Sequence, residues 1–575
     1  MLTNSLLAGA LGAAYLTVLV LQLNPQIPLL SGTTWRWFTM IGMLYGLHLA
    51  VTFYLVMVVR ELFALDVFSP GWVSVRMLAW MSAAAAAAAA TLMWLNVRGL
   101  SAALTADAVW RMTAGAVATT VSAAVLLAIA VAHYSFGRRG GRVGASLFLL
   151  AAFGSLALPV AARGAAVDPP PQIGPGPVLA EHVPSETSAG RIFMLLLDGA
   201  SLDYILPRVA EGRLPGFGRL IDRGALMDLA TIRPTQPDAV WAAVATGMYP
   251  AKNGVRSAGS YGAREGARAV DLLPDHCFSH ALVRLGFVRN EPNASTAWRA
   301  RPLWSIISGA GINVGVVRWP LTYPADAVNG FIVSDRFHQL TASVTAFDRA
   351  AFPPAILPVV DTIFEAPPSA ALAGITADLP PADAPEGSAI RRDRRYGAAL
   401  RELSATRPPR FAALRYEGLD TVGHHYLSAT QPRSFSAVSD DERRRRLQAT
   451  DGYYAFVDAQ LNAWAVDMRP DDLLIVISGF GMQPLDPVKR TIARLLGDPD
   501  FSGTRERAPD GFLLAYGGSV QPGRPPRGSI VDVAPTLLYF LGLPVARDMD
   551  GFARADLFAR AYTAERPIVF IPSYR

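Results

Sequence analysis

The stretch IFMLLLDG, residues 192–199, decides the fold. A short run of six apolar residues that ends at Asp198 and Gly199 is typical of a buried strand of an α/β sheet. A carboxylate that emerges from such a strand is costly unless it is paired or bound to a cation. The stretch therefore predicts a central strand with either a charged binding group or a helix cap at its carboxyl end.

Similar apolar runs recur along the rest of the chain and alternate with amphipathic stretches and Gly/Pro turns. The clearest are Val314 to Val317, Phe411 to Tyr416, Leu473 to Ile477 and Phe512 to Ala515. This alternation predicts a mostly parallel sheet sandwiched by helices over residues 191–575. Ligands of open α/β sheets bind outside the carboxyl ends of the strands. Residues 340–400 are rich in Pro and Ala, and we interpret them as an insertion or cap.

The first 162 residues are dominated by long apolar runs. The runs cover residues 5–23, 34–59, 71–95, 108–134 and 144–162. Most are near the ~20 residues that a helix needs to cross a bilayer, so they predict an all-α transmembrane bundle of about five helices. The first run lacks a preceding basic segment, which disfavours a cleaved signal peptide.

The basic residues of the short loops predict the orientation of these spans. Arg60 follows the second run, and Arg138, Arg139 and Arg142 follow the fourth, whereas the loop after the first run has no Lys or Arg. Basic loops stay on the cytoplasmic side. We therefore expect a multi-pass integral membrane protein with its N-terminus inside and its C-terminal domain in the periplasm or outside the cell.

Composition excludes several classes of function. A net charge of +6 is small for 575 residues, so no nucleic-acid partner is expected. Cys277 is the single cysteine, which excludes an intramolecular disulfide and a Cys-based zinc site. Six prolines between positions 169 and 184 make residues 163–190 a semi-rigid linker between the spans and the α/β domain.

Two further segments carry side chains that are capable of chemistry. In RPTQPDAVWAAVATGMYP, Pro237 suits the first turn of a helix, so Thr235 lies near a helix N-terminus, where it is either a cap or a nucleophile. In YEGLDTVGHHYL, Asp420 and His424 are four residues apart and point the same way on a helical turn, so the pair is able to chelate one ion. Asp198, Thr235, Asp420 and His424 all follow predicted strand ends.

These phrases resemble the type I phosphodiesterase/nucleotide pyrophosphatase branch of the alkaline phosphatase superfamily. The resemblance is carried, in family order, by LLLDG, PTQPDAVWAAVATGMYP, RPLWSIISGAGINVGVVRWPLTYPADAVNGFIVSD, YEGLDTVGHHYL and SIVDVAPTLLYFLGLPVARDMDG. It covers about residues 190–565 and excludes the spans. It implies an alkaline-phosphatase-like sheet that carries two zinc-like ions about 4 Å apart.

The resemblance also implies roles for particular residues. Asp198 matches the Asp of the first motif, Asp420 and His424 match the D-x-x-G-H motif, and Thr235 is the candidate nucleophile, although the family usually places this hydroxyl where the chain has Pro237. In ISGFGM, Gly479 and Phe480 stand where the family has an Asp-His pair of metal ligands. No histidine follows His425, and Arg505 is the expected occupant of the position of a late His ligand.

Three functions fit this pattern. The first is a membrane-anchored phosphoric-ester hydrolase that uses Thr235 and one divalent ion, zinc by preference, held by Asp198, Asp420 and His424, with Arg505 binding the substrate and supplying the missing charge. The second is a catalytically impaired protein that binds a phosphorylated small molecule or lipid. The third is a lipid head-group phosphotransferase, which the layout of the spans suggests.

Overall fold

The computed structural model describes residues 2–63, 75–136, 141–163, 190–263, 270, 272–273, 278–340, 348–365, 385–430, 439–495 and 501–575. The chain divides into two compact units. One unit consists of Met1–Pro170 and Gly259–Pro292, and the other of Pro171–Ala258 and Asn293–Arg575. The predicted linker lies almost entirely outside the described residues, as do Cys277 and much of the predicted 340–400 cap.

The N-terminal part of the first unit is all helical. Its helices are α1 (Leu2–Leu23), α2 (Gly32–Ile41), α3 (Leu47–Phe63), α4 (Val75–Leu100), α5 (Ala106–Phe136) and α6 (Gly141–Ala162), with a π-helical turn at Gly42–Gly46 and a 3₁₀ turn at Ser101–Ala103. Gly9 of α1 and Gly46 let the helices approach closely, because a Cβ on Gly9 would lie 2.2 Å from the Gly46 carbonyl oxygen.

Four stretches in the described part of this unit are long and apolar enough to cross a bilayer, rather than the five that we expect from the sequence. They are Leu2–Leu23, Gly32–Val59, Ala79–Ala103 and Ala106–Ala132. The fifth apolar run forms α6, but the apolar helix found there, Ser146–Ala162, is shorter than the other four.

Helices α1 and α6 run in the same direction. Tyr15 of α1 hydrogen-bonds Ser155 of α6. Further toward the carboxyl end of both helices, Gln22 Nε2 of α1 donates to the Pro159 carbonyl of α6 at 3.3 Å. At the end of α6 the Arg163 guanidinium donates to the Leu21 carbonyl at 3.3 Å. The chain therefore leaves α6 at the end of the bundle where α1 also ends.

The remaining elements of the first unit come from its second segment. They are β3 (Gly259–Ala263), α11 (Phe278–Arg284) and β4 (Val288–Pro292), and β3 and β4 pair antiparallel. This segment packs on the helices, because Asn24, at the end of α1, hydrogen-bonds the backbone of Leu272 at 2.7 Å, and Leu272 clusters with Leu23 and Leu100.

A nine-stranded sheet forms the centre of the second unit, as far as the structure describes it. Its strands, in spatial order, are β13 (Gly528–Ser529), β2 (Ala225–Ala230), β12 (Gly511–Tyr516), β9 (Leu473–Ser478), β1 (Ile192–Leu197), β8 (Phe411–Tyr416), β5 (Val314–Val317), β6 (Gly330–Val333) and β7 (Ala351–Phe352). The four short strands β10 (Gln483–Pro484), β11 (Gly503–Thr504), β14 (Val545–Ala546) and β15 (Phe570–Ile571) pair outside it.

The sheet is mixed. Its central strands β9, β1, β8, β5 and β6 are parallel, whereas β12 runs antiparallel to both of its neighbours and β7 runs antiparallel to β6. The carboxyl ends of the five parallel strands therefore share one edge, and the loop before β12 enters at the same edge. This loop contains Arg505, and the edge also contains Asp198 and Gly479.

Helices cover both faces of the sheet, as predicted. They are α7 (Leu202–Ala210), α8 (Pro215–Arg223), α9 (Pro237–Thr246), α10 (Pro250–Asn253), α12 (Leu303–Gly309), α13 (Leu357–Glu365), α14 (Pro385–Thr406), α15 (Gly418–Thr430), α16 (Asp440–Asp467), α17 (Pro487–Leu495), α18 (Val533–Phe540) and α19 (Arg560–Ala564). Met194 and Leu196 of β1 face the core built with α9, α12 and α18, whereas Leu195 and Leu197 face the core built with α8, α14 and α16.

Candidate functional site

Asp198 is held by an arginine that the sequence analysis did not single out. Arg415 lies on β8 opposite Leu196 of β1, and its Nη2 donates to Asp198 Oδ2 at 2.5 Å while its Nε lies 3.1 Å from Oδ1. The indole Nε1 of Trp241, on α9, donates to Asp198 Oδ1 at 2.8 Å. Both oxygens of the carboxylate are thus engaged by protein donors.

Burial explains why this pair forms. The Asp198 and Arg415 side chains are 1% and 9% exposed. A lone carboxylate in such a place would carry a large desolvation cost, which an opposite charge and hydrogen bonds offset. Burial alone would lower the pKa of Arg415, but Asp198 and Glu417 outweigh it and raise that pKa above its ordinary value. Asp198 is not a helix cap, because Ser201 precedes α7 in that position.

Asp420, His424 and Arg505 are in direct contact. Asp420 and His424 lie one turn apart on α15, with Asp420 Oδ2 3.6 Å from His424 Nε2. Arg505 Nη1 donates to Asp420 Oδ2 and lies 3.3 Å from His424 Nε2. The Gly503 carbonyl lies 2.9 Å from His424 Nδ1, which assigns the proton of the neutral ring to Nδ1 and leaves Nε2 as an acceptor. The guanidinium therefore bridges the two side chains.

One oxygen of this cluster has no partner. Asp420 is 5% exposed, and its Oδ1 is buried without a hydrogen bond to any described group. Burial raises the pKa of Asp420 above its usual range, and the opposing effects of Arg505 and His424 do not cancel it. A buried orphan oxygen is a position where a cation or a donor is missing.

Thr235 is buried and lies two residues before the first residue of helix α9, so it is near the helix N-terminus but is not its cap. Helix α9 begins at Pro237, and Gln236 caps it without a side-chain hydrogen bond. The Thr235 hydroxyl donates to the Ile232 carbonyl at 2.9 Å, and its amide donates to the Glu506 carbonyl at 3.1 Å. Pro237 thus occupies the first helical position, where an attacking hydroxyl would face the helix N-terminus.

The loop after β9 is filled by apolar side chains. A Cβ on Gly479 would lie 2.5 Å from Val240 Cγ1, which is closer than any real contact of this kind. Phe480 is fully buried and packs on Trp241, with ring centroids 6.5 Å apart. Val240 therefore closes the space in which a metal-binding Asp would have to stand, and the indole that donates to Asp198 packs against Phe480 at the next position.

A second cluster of charges, in which Arg318 and Asp393 are buried and Glu417 is partly exposed, lies next to Arg415 at the ends of β5 and β8. Arg318 forms ion pairs with Asp393 and with Glu417, the latter at 2.7 Å. Burial would raise the pKa of Glu417, but Arg415 and Arg318 outweigh it and lower this pKa to about 2. The sequence offered one signal for these charges, which is Arg415 in the apolar strand β8, because an arginine inside an apolar strand needs a partner.

The observed side chains do not fit a two-ion centre. Among the described residues, no three or more His, Cys, Asp or Glu side chains are arranged to hold a metal ion. Asp198 has no free oxygen, and the loop with Gly479 and Phe480 offers no ligand. Asp420 and His424 supply two ligands of a second position, but Arg505 lies between them in place of a third.

Sequence comparison assigns a family to the α/β domain. Residues 192–513 match the family described as type I phosphodiesterase / nucleotide pyrophosphatase. No curated protein matches the chain.

Solved structures of two related proteins align with the chain. Human ectonucleotide pyrophosphatase / phosphodiesterase 5 aligns with 13% identity and a TM-score of 0.37, over 64% of this chain and 99% of that one. The murine protein, an inactive variant in complex with AMP, aligns with 13% identity and a TM-score of 0.36, over 64% of this chain and 100% of that one. Because the family match spans more than half of the sequence and includes Asp198, Asp420 and His424, the chain belongs to the type I phosphodiesterase / nucleotide pyrophosphatase family.

Proposed function

We propose that this chain is a membrane-anchored member of its family that binds a phosphoric ester at the strand-end edge of the sheet without the two-ion hydrolysis typical of such sites. The observation that carries the proposal is that both carboxylate oxygens of Asp198 are already bonded to protein donors. Its carboxylate is saturated by Arg415 and Trp241, so a metal ion would have to displace a buried ion pair. That displacement would leave the buried Arg415 guanidinium without its partner, which costs about 3–5 kcal/mol.

Arg505 is the group that we expect to bind the ester. Its side chain is 30% exposed and that of His424 is 23% exposed, so both reach the mouth of the site. A guanidinium recognises phosphate through paired N–H donors. The ligand is a phosphorylated small molecule or a phosphorylated lipid, and the latter fits a domain that is tethered to the bilayer. The low net charge supports no nucleic-acid partner.

The direction of α6 supports an extracytoplasmic domain. Because α6 is parallel to α1 and both end together, the chain re-emerges on the side that α1 reaches. With the N-terminus inside, as the basic loops favour, this side is the periplasm or the cell exterior.

A second candidate function is hydrolysis with a single ion. It is favoured by Asp420 Oδ1, which has no partner among the described groups, and by the unprotonated Nε2 of His424. If Arg505 swung outward, these atoms would be able to hold one divalent ion, with zinc preferred for an imidazole and a carboxylate. Thr235 would then be the nucleophile only after its hydroxyl left the Ile232 carbonyl.

Two measurements on the detergent-solubilised full chain separate the candidates. The first is turnover of an aryl phosphodiester by the wild type and by Thr235→Ala, in buffer containing zinc. The second is binding of inorganic phosphate to the wild type, Arg505→Ala and the exposed neighbour control Arg507→Ala. We expect phosphate binding that only Arg505→Ala weakens, and no turnover that depends on Thr235. Zinc-dependent turnover that Thr235→Ala abolishes would establish the second candidate and overturn the first.

A further inference from the structure

The first unit contains a cleft at the end of the helical bundle. It encloses about 540 Å³ and lies between α2 and the turn that follows α11. This volume lies within the range of about 300–1,000 Å³ that is typical of small-molecule sites. The cleft belongs to a different unit from the strand-end site, so its role is independent of the function proposed above.

Exposed apolar side chains form the walls of the cleft. Trp35 is 61% exposed on the α2 side, Met43 is 64% exposed in the π-helical turn, and Leu285 is 58% exposed on the opposite side. Gly286 adopts a left-handed conformation, with φ of +73°, which ends α11 and turns Leu285 and Phe287 toward the cleft. Large apolar side chains that are exposed next to one another indicate a surface that contacts a partner rather than one that faces water.

The position of the cleft indicates which apolar partner meets these walls. Helix α2 begins a few residues after α1 ends, and its stretch Gly32–Val59 is long and apolar enough to cross a bilayer. The beginning of such a stretch lies at the membrane–water interface, where tryptophan is enriched. The outward side chains that follow, including Leu47 at 55% and Val51 at 50% exposure, continue the apolar surface along the span.

Arg36 supplies the charge that selects the occupant. It lines the cleft next to Trp35 and is exposed. A guanidinium at the interface binds a lipid phosphate through paired N–H donors, and an anionic head group offers that phosphate without a compensating cation. We infer that the cleft binds an anionic phospholipid, with its phosphate at Arg36 and its acyl chains along Met43 and the apolar side chains that follow on α3.

Native mass spectrometry of the solubilised full chain tests this inference. The protein is incubated with phosphatidylglycerol or with phosphatidylcholine, and the fraction that retains one lipid is measured. We expect phosphatidylglycerol to be retained preferentially, and Arg36→Gln to reduce its retention about fivefold, since about 1 kcal/mol is the upper value for an ion pair between exposed groups. Trp35→Ala, which removes an apolar wall, lowers retention of both lipids.

The matched control is Arg98→Gln. Arg98 is also exposed and lies near the end of α4 beside Leu100, which clusters with Leu23 at the end of α1, so it shares the same end of the bundle without lining the cleft. Its replacement should leave retention unchanged. Equal effects of Arg36→Gln and Arg98→Gln, or equal retention of the two lipids by the wild type, would show annular lipid only and overturn the inference.

Discussion

Arg415 Nη2 lies 2.5 Å from Asp198 Oδ2, and the two side chains form a buried ion pair at the centre of the strand-end edge. Asp198 is the residue that the family resemblance assigns to a metal ion. A guanidinium on the neighbouring strand therefore supplies the positive charge that this carboxylate requires, and the fold needs no ion to compensate it.

Loss of this arginine should be strongly destabilising. Arg415→Met leaves Asp198 buried without a counter-charge, which costs about 3–5 kcal/mol in the free energy of unfolding. Denaturant unfolding of the solubilised chain measures the change. The control is Arg524→Ala, whose ion pair with Asp228 spans 3.3 Å between exposed side chains and should cost at most about 1 kcal/mol. The double variant Asp198→Asn/Arg415→Met should recover part of the lost stability. If Arg415→Met and the control Arg524→Ala lowered the free energy of unfolding equally, the importance of the buried pair would be contradicted.

The glycine after β9 should not tolerate even one methyl group. Gly479→Ala places a Cβ against Val240, so overpacking should lower the free energy of unfolding by about 1–3 kcal/mol. Gly452→Ala is the matched control, because a Cβ there meets nothing within 4 Å and the residue lies inside α16. This change should stabilise the protein by up to about 1 kcal/mol. If Gly479→Ala left the free energy of unfolding unchanged, the loop would be able to open and accept a ligand side chain.

A zinc site should be recoverable at the other cluster. Arg505→His removes the guanidinium that bridges Asp420 and His424 and places an imidazole in the same loop, which would complete three ligands. We expect this variant to bind one zinc ion per chain in a metal-content measurement after dialysis. Arg507→His, an exposed change two residues away, should bind no more zinc than the wild type does. Tight zinc binding by the wild type itself would refute the view that Arg505 takes the place of a ligand.

Asp238 should make stability depend on pH. Burial raises its pKa to about 7 from the ordinary 3.8, although Arg415, Arg336 and a hydrogen bond from Asn293 oppose the rise and Asp335 adds to it. Between these two values the folded chain keeps a proton that the unfolded chain has released, so this group costs stability as the pH rises. Asp238→Asn should flatten the loss of stability across that range in thermal unfolding at several pH values. A pH profile identical to that of the wild type would contradict it.

The apolar runs were sufficient to predict the sheet but not its charge pairs. The strands predicted at 192–197, 314–317 and 411–416 have the observed bounds, because buried strands of a parallel sheet are continuous apolar runs. The pairing of Asp198 with Arg415 depends on the register of two strands whose residues are 217 positions apart, which no local pattern encodes. An arginine within FAALRY nevertheless signalled that a partner had to exist.

Local turn chemistry explains the rest of the difference at the site. The spacing of Asp420 and His424 predicted that they point the same way, and the two side chains lie 3.6 Å apart because they are one helical turn apart. Pro237 begins the helix, as the sequence indicated, because proline at the first helical position is favoured since its missing N–H needs no partner, but Gln236 rather than Thr235 stands at the cap position. The hydroxyl of Thr235 was thereby left to close a turn with Ile232.

The side of the membrane on which the α/β domain lies depends on whether α6 crosses the bilayer. Four crossings would return the chain to the side of its N-terminus, whereas five would not. Helix α6 has 22 residues, enough for about 30 Å at 1.5 Å per residue, and its parallel alignment with α1 is the arrangement that a fifth crossing would produce. A reporter fused after Arg575 should therefore be active only outside the cytoplasm, and a reporter fused within the loop after α5 only inside it. A cytoplasmic reporter at Arg575 would mean that α6 does not span.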